Sequence, residues 1–309
     1  MQPTRSQERP RWGQARRLAF IDLRLQYDGR INRRDLIAYF DISPPQASAD
    51  LALYQELAPQ NLEYDASARV YVALTTFRPQ SGRTAATHYL DELQRLARNV
   101  VDPSESFVGF VPQTGVVATP ARAIASDEVA NLVRAIRDKK TLQVRYQSMD
   151  YPVPQEWRLS PHALGFDGLR WHARCYCHTR RVFRDFAIGR LTILAELHDV
   201  GGIDPALDRG WNTQVPLVLV PHPALSPSQR QVVERDYGMR EGHRTLECRK
   251  AMLFYTLRHL NLERLQTEPD PARQHVVVDN TDNVRRWIAE DREGAVGARV
   301  DHTAPREIT

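Results

Sequence analysis

Residues 170–191 read RWHARCYCHTRRVFRDFAIGRL. Two runs of strand character, Arg170–Cys177 and Arg181–Ile188, flank a polar turn at His178, Thr179 and Arg180. Arginine recurs at Arg170, Arg174, Arg180, Arg181, Arg184 and Arg190, against the one acid Asp185. Alternation along the first run sets His172 and Arg174 on one face and Trp171, Ala173 and Cys175 on the other. Cations and histidines beside aromatics suit a surface that meets phosphate or nucleic acid.

Working outward, Thr141–Gln147, Glu156–Ser160 and Leu191–Glu196 read as further short strands, and their close spacing predicts a small β-barrel. An amphipathic helix over Asp127–Lys139, with Ser126 as its cap, precedes them. Tyr146 and Ser148 end the first strand and His162 follows the second. With His172, Arg174, Arg184 and Arg190 they form a candidate pocket for a phosphate-bearing ligand. The competing reading pairs these arginines with Asp185, Asp150 and Glu156 on a solvated surface.

Toward the N-terminus, a polar stretch Met1–Pro10 reads as disordered. Leu18, Ile21 and Leu25 then mark a helix that stops at Asp28–Gly29, and Asn32 caps a second, short helix ending near Phe40. The third helix has the clearest start: Ser43 as cap, Pro44 at the first position and Gln46 three residues after the cap. Ala47, Leu51 and Tyr54 give it an inward face. Leu62–Tyr64 and Arg69–Ala73 make a hairpin, and three helices followed by a hairpin is the order of a winged helix-turn-helix.

In that fold the third helix enters the major groove. Gln46 is then placed to pair with adenine, Ser48 with phosphate or base, and the carbons of Pro45 and Ala49 with a thymine methyl, beside the capping Ser43. Arg16, Arg17, Arg33 and Arg34 would hold flanking phosphates, and Tyr64 or Arg69 on the wing would touch backbone or minor groove.

Beyond the strands, Gly201–Gly210 reads as a boundary. A strand at Gln214–Val220, a helix capped by Ser226 and further elements to Asp279 indicate an α+β module, with a loose tail after about Asp291. The organisation expected is 1–78 winged helix, 79–124 helical linker, 125–200 barrel and 211–291 C-terminal module.

The 309 residues carry a net charge of +4, which favours an anionic partner. Lysine stands only at Lys139, Lys140 and Lys250; the arginine bias fits bidentate phosphate recognition and a GC-rich coding genome equally well. Cys175, Cys177 and Cys248 are an odd set without framework spacing, so a reducing, cytoplasmic setting is expected. No apolar run is long enough for a bilayer, and a membrane partner is not expected. Neither the Cys175–Cys177–His178 grouping nor any other stretch has metal-ligand spacing, and no phosphate-loop, nucleophile-elbow or dinucleotide signature occurs. No metal, cofactor or catalytic residue is therefore expected.

The hairpin also resembles a known family. Trp171–His172–Ala173 stands where WYL-domain proteins carry their Trp-Tyr-Leu-type triplet, departing at the second and third positions. Phe183 to Phe186 with Gly189–Arg190–Leu191 is similar to that domain's closing strand, and Ser160 to Leu164 with Asp167–Gly168 to its upstream part. Ser43 with Asp50–Leu51 matches the frame of WYL-regulator recognition helices, which often carry arginine where this chain has Ser48 and Ala49.

Over nearly its full length the chain resembles the WYL repressors of the BrxR and CapW kind found beside bacteriophage-defence loci. The resemblance implies a multi-domain α+β protein with an N-terminal winged helix-turn-helix, an Sm-like β-barrel and a C-terminal dimerisation module. It also implies a homodimer on a palindromic duplex operator, controlled by a nucleotide or nucleic-acid ligand. Two other readings stay open on the residues alone: a nucleic-acid-processing enzyme or its RNA- or single-strand-binding subunit, and a ligand-binding adaptor.

Overall fold

Leucine and isoleucine at helical spacing make the first helix, α1 (Trp12–Asp28), which ends where Gly29 takes φ +70°. The computed structural model describes residues 12–120, 122–149 and 153–296. The stretch Met1–Pro10 and the tail beyond 296 lie outside the described residues. The chain divides into two compact units, residues 1–118 and 119–309.

In the first unit, β1 (Arg30–Ile31) leads to α2 (Arg33–Phe40), where Asn32 and Asp35 form a reciprocal capping box. α3 (Pro44–Leu57) starts at the Ser43 cap, and β2 (Leu62–Asp65) and β3 (Val70–Ala73) form the wing. Their sheet has the order β1-β3-β2, the two-residue β1 being an addition to the expected hairpin. Phe20, Ile21, Leu25, Leu36, Leu51 and Tyr54 fill the core.

A buried polar network ties the wing's exit to the helices. Asp22 accepts the Tyr54 hydroxyl and the backbone N–H groups of Gln80 (2.9 Å) and Ser81 (2.8 Å). Asn61 donates to Tyr54 Oη at 3.0 Å and exchanges bonds with the Arg78 backbone at 2.7 and 2.9 Å. Burial, then the neighbouring Asp22, raises the Tyr54 hydroxyl well above its ordinary pKa, so it remains a donor. α4 (Ala86–Ala97) follows, and the chain returns along α1 and α2: Phe107 packs edge-on to Phe20 and Tyr39 donates to the Glu105 carbonyl. Gly109 sits tight against the Arg24–Asp28 ion pair, which a Cβ would displace, its ideal position lying 2.1 Å from the Asp28 carboxylate.

In the second unit α5 (Ser126–Arg137) is capped from Ala125 without a side-chain bond; Ser126, expected as the cap, is already inside the helix. β4 (Lys140–Tyr146), β5 (Gln155–Phe166), β6 (Trp171–Cys177), β7 (Val182–Ala187) and β8 (Leu191–Gly201) form an antiparallel sheet of order β7-β6-β5-β4-β8. The expected closed barrel is not seen: β7 and β8 are the two edges, and no ladder joins them among the described residues. β5 is longer than its apolar pattern indicated, since a register break between Pro161 and Ala163 carries it past His162. α5 covers the face bearing Leu142, Val144, Leu159, Ala173, Cys175, Cys177 and Phe186.

The C-terminal part begins with the short α6 (Arg209–Asn212). β9 (Gln214–Pro221), α7 (Pro227–Asp236), β10 (Arg244–Arg249), α8 (Leu253–His259) and β11 (Val276–Val278) follow, with sheet order β10-β9-β11. α9 (Thr281–Val296), an element beyond those expected to Asp279, runs past Asp291 into the stretch expected to be loose; Val284, Trp287 and Ile288 are the apolar stripe that packs it onto the core. Among the described residues no helix is long and apolar enough to cross a membrane.

Removing the Tyr54 hydroxyl takes one hydrogen bond each from the buried Asp22 and Asn61. Tyr54→Phe is expected to lower the stability of the first unit by about 1–3 kcal/mol, read as a drop in its thermal or denaturant midpoint. An unchanged midpoint would show that the network contributes nothing.

Candidate nucleic-acid interface

The leading edge of α3 faces outward. Ser43, Pro44, Pro45, Gln46 and Ala49 are exposed, whereas Ala47, Asp50, Leu51 and Tyr54 are buried. Ser43 Oγ accepts the Gln46 N–H at 3.4 Å, which fixes the start of the helix. Ser48 does not offer its hydroxyl freely: Oγ–H donates to the Pro44 carbonyl at 3.0 Å, and the oxygen accepts from Arg33 Nη1 at 3.3 Å. Ser48, expected to meet phosphate or base, thus already has two partners, and one of these bonds holds the exposed Arg33 beside α3.

The other arginines separate. Arg34 is exposed at the start of α2. Arg17 bonds Asp50 through Nε at 2.5 Å and Nη2 at 3.2 Å, so its charge is spent on a buried carboxylate, contrary to the expected phosphate contact. Arg16 lies over the Phe107 ring at 5.5 Å and lines a cavity of about 540 Å³ with Tyr39, Phe40, Ser104 and Glu105. On the wing Tyr64 and Arg69 are both exposed; Arg69 takes φ +55° at the tip, and Tyr64 sits 5.0 Å from the Tyr71 ring.

The seven residues expected to form one ligand pocket are not brought together. Register pairs Cys175 with Arg184 and Ala173 with Phe186, so Arg184 projects from the same face as the α5-covered core. Tyr146 is on that side too, its ring against Phe186 and its hydroxyl accepting the Ala187 N–H at 3.3 Å. Gln147 N–H donates to the Arg190 carbonyl at 3.2 Å, which brings the chain next to Ser148 toward Arg190. Arg180, stacked 4.8 Å over Trp157, adds a cation and an aromatic surface that the sequence reading did not single out. Arg184 enters no ion pair among the described residues.

His172 and Arg174 face the opposite way and are buried under the C-terminal segment. Arg174 donates to Asp208 through Nε at 2.7 Å and Nη2 at 3.0 Å, and stands 3.4 Å from Asp185 and 3.9 Å from Asp291. The bulge at residue 162 re-aims His162 so that Nε2 meets Asp208 at 2.9 Å. Asp208 also caps α6 through the Trp211 N–H at 3.0 Å. His172 pairs with Asp167 at 3.0 Å and lies 4.9 Å from the Tyr255 ring, whose hydroxyl donates to Asp185 at 3.3 Å.

These three residues are therefore a clamp between the sheet and the C-terminal module, not an open anion site. Burial pushes the Asp208 carboxyl up, but the bonds from His162 and Arg174 and the guanidinium charge outweigh it and hold the group well below the usual carboxylate range. Cys175 and Cys177 lie in the core with thiols raised by burial. Among the described residues no group of three His, Cys, Asp or Glu is placed to hold a metal.

A winged helix, a five-stranded antiparallel sheet and an α+β module together define the architecture of a WYL-type transcription regulator. Family models match all three: the BrxR transcriptional regulator winged helix-turn-helix domain over residues 13–95, the WYL domain over 127–195, and the BrxR transcriptional regulator C-terminal dimerisation domain over 214–284. The chain is 66% identical over 284 residues to the DNA-binding transcriptional repressor CapW of Stenotrophomonas maltophilia, covering 92% of this chain and 95% of that one. It is 43% identical to the CapW repressor of Pseudomonas aeruginosa, covering 93% and 96%, and 41% identical to that of Escherichia coli strain KTE188, covering 89% and 91%. The chain belongs to the CapW family of transcriptional repressors.

Arg174→Met leaves the buried Asp208 without its main counter-charge, and should destabilise the second unit by about 3–5 kcal/mol in denaturant unfolding. The Asp208 pKa is depressed in the fold, so its stabilisation is complete above the usual carboxylate range, about pH 4, and is lost as pH falls toward the folded value. Acid unfolding of the second unit should accordingly begin at higher pH in Arg174→Met than in the parent. Matching acid profiles would remove the clamp.

Proposed function

We propose that this chain is a homodimeric repressor that binds a palindromic duplex operator through α3, with half-sites about one helical turn, or a multiple, apart. The observation that carries the reading is the exposed leading edge of α3, Ser43 to Gln46 with Ala49, beside the exposed Arg33 and Arg34 of α2. The relatives' description as DNA-binding repressors, and the match to a dimerisation domain at residues 214–284, support it.

The sensor belongs on the α5-covered side of the five-stranded sheet. Arg184, Tyr146, Ser148 and Arg190, joined by Arg180 over Trp157, combine cations with aromatic surface. That pairing suits a nucleotide or a short single-stranded nucleic acid: arginine for phosphate, an indole face for a base. Coupling to the operator is linkage. The ligand lowers operator affinity in proportion to its preference for the non-binding dimer geometry. Control of a bacterial anti-phage defence operon is the setting that the family resemblance implies.

Binding to the DNA upstream of the chain's own gene, measured against salt, tests the reading. Sequence-selective binding with a steep salt slope supports it, and indifference to duplex DNA at physiological salt removes it. Arg33→Ala should weaken operator binding and reduce the salt slope by about one if the guanidinium meets a phosphate. Arg184→Ala should leave basal operator binding intact while abolishing release by short oligonucleotides. Release that persists unchanged in this variant would place the sensor elsewhere.

A further inference from the structure

Two prolines open α3, so its first two positions carry no N–H. The Gln46 N–H is taken by Ser43 Oγ and the Ala47 N–H by the Ser43 carbonyl at 3.0 Å. The first turn of the helix, from Pro44 to Ala47, therefore offers DNA no free backbone N–H, and Gln46 is the exposed polar side chain within it. Gln46 Nε2 donates to Asp50 Oδ1 at 3.2 Å, and the other oxygen of this fully buried carboxylate takes Arg17 Nε at 2.5 Å. A carboxylate only accepts. Chemistry thus fixes the amide: nitrogen toward Asp50, oxygen away from it. A flip would set two acceptors face to face beside a buried charge.

We infer that Asp50, held by Arg17, is a specificity-determining positioning residue that makes Gln46 present its carbonyl oxygen to the major groove. One position of each half-site is thereby read for a base with an amino donor in that groove, adenine before cytosine. Adenine N6 donates to Oε1, and its N7 can take the second amide hydrogen; cytosine offers N4 alone. Guanine and thymine place O6 and O4 there, acceptor against acceptor. Pro45 and Ala49 beside Gln46 present only carbon, which suits a thymine methyl on a neighbouring pair.

This rests on α3 lying in the major groove, and the test separates the two. Full-length parent, Gln46→Ala and Asp50→Asn proteins are each used to select from a randomised duplex library. The expected result is a half-site position occupied by adenine or cytosine in the parent and unselected in Gln46→Ala. Asp50→Asn, whose amide can face Gln46 with either end, should admit guanine and thymine there. Replacing the selected adenine by purine, which lacks the N6 amino group, should weaken parent binding about tenfold or more.

Guanine or thymine at the Gln46-dependent position, or no loss with purine, overturns the inference while leaving α3 in the groove. A folded Asp50→Asn with parental base preference overturns the role of Asp50, and if that variant does not fold the purine arm decides. A Gln46→Ala protein with unaltered selectivity at every position overturns both the inference and the recognition-helix reading.

Discussion

Asp50 is fully buried, yet it sits on the one helix whose outer edge must stay free. A carboxylate in that position is tolerable only with a counter-charge and satisfied oxygens, and Arg17 supplies both from α1. The ion pair therefore sets where α3 lies against α1, and with it which side chains the helix displays. It also removes Arg17 from the set of cations available to a phosphate. The chain carries little positive charge at the recognition edge itself, and Ser48 compensates by holding Arg33 there from α2.

The second unit uses the same device at another joint. Asp208 follows β8 in sequence but is tied to β5 and β6, because the bulged His162 and Arg174 both end on it. One carboxylate caps α6, neutralises a buried guanidinium and orients an imidazole. Its partners fix the C-terminal module against the outer face of the sheet, where Gly165 is close enough to Met252 that a Cβ would meet its sulfur at 2.9 Å. A sheet with one face under α5 and the other under this clamp has little need to close on itself, which accords with its open order.

Local signals in the sequence give most of the elements and few of the faces. Asn32, Ser43 and Ser226 announce their helices because a cap acts within three residues, and all three accept the bonds their positions imply. The strands from Thr141 to Glu196 follow from alternation. Partners distant in sequence leave no such trace: Asp50 is 33 residues from Arg17, and Asp208 is 34 from Arg174. Arg174 therefore looked like an anion-binding cation with few acids nearby. The bulge at His162 shifts the period by one and hides half of β5, and edge pairing, which decides between open sheet and barrel, has no local signature. α9 was missed because Val284, Trp287 and Ile288 are a sparse stripe in a charged run.

What sequence alternation does fix is that neighbours on a strand face opposite ways, and on β7 this joins the two halves of the sensor reading. Arg184 lies on the α5-covered side, while the next residue, Asp185, lies among Arg174 and Tyr255 on the clamp side. A displacement of the β7 backbone carries both side chains, one on each face. Asp185 stands 3.4 Å from Arg174 and 3.3 Å from the Tyr255 hydroxyl, against 2.7 Å between Arg174 and Asp208. In the proposed sensor, an anion that displaced β7 at Arg184 would also move Asp185, whose partner Tyr255 stands on α8 of the C-terminal module. Coupling by this route needs no long chain of intermediaries, only the one residue step from Arg184 to Asp185.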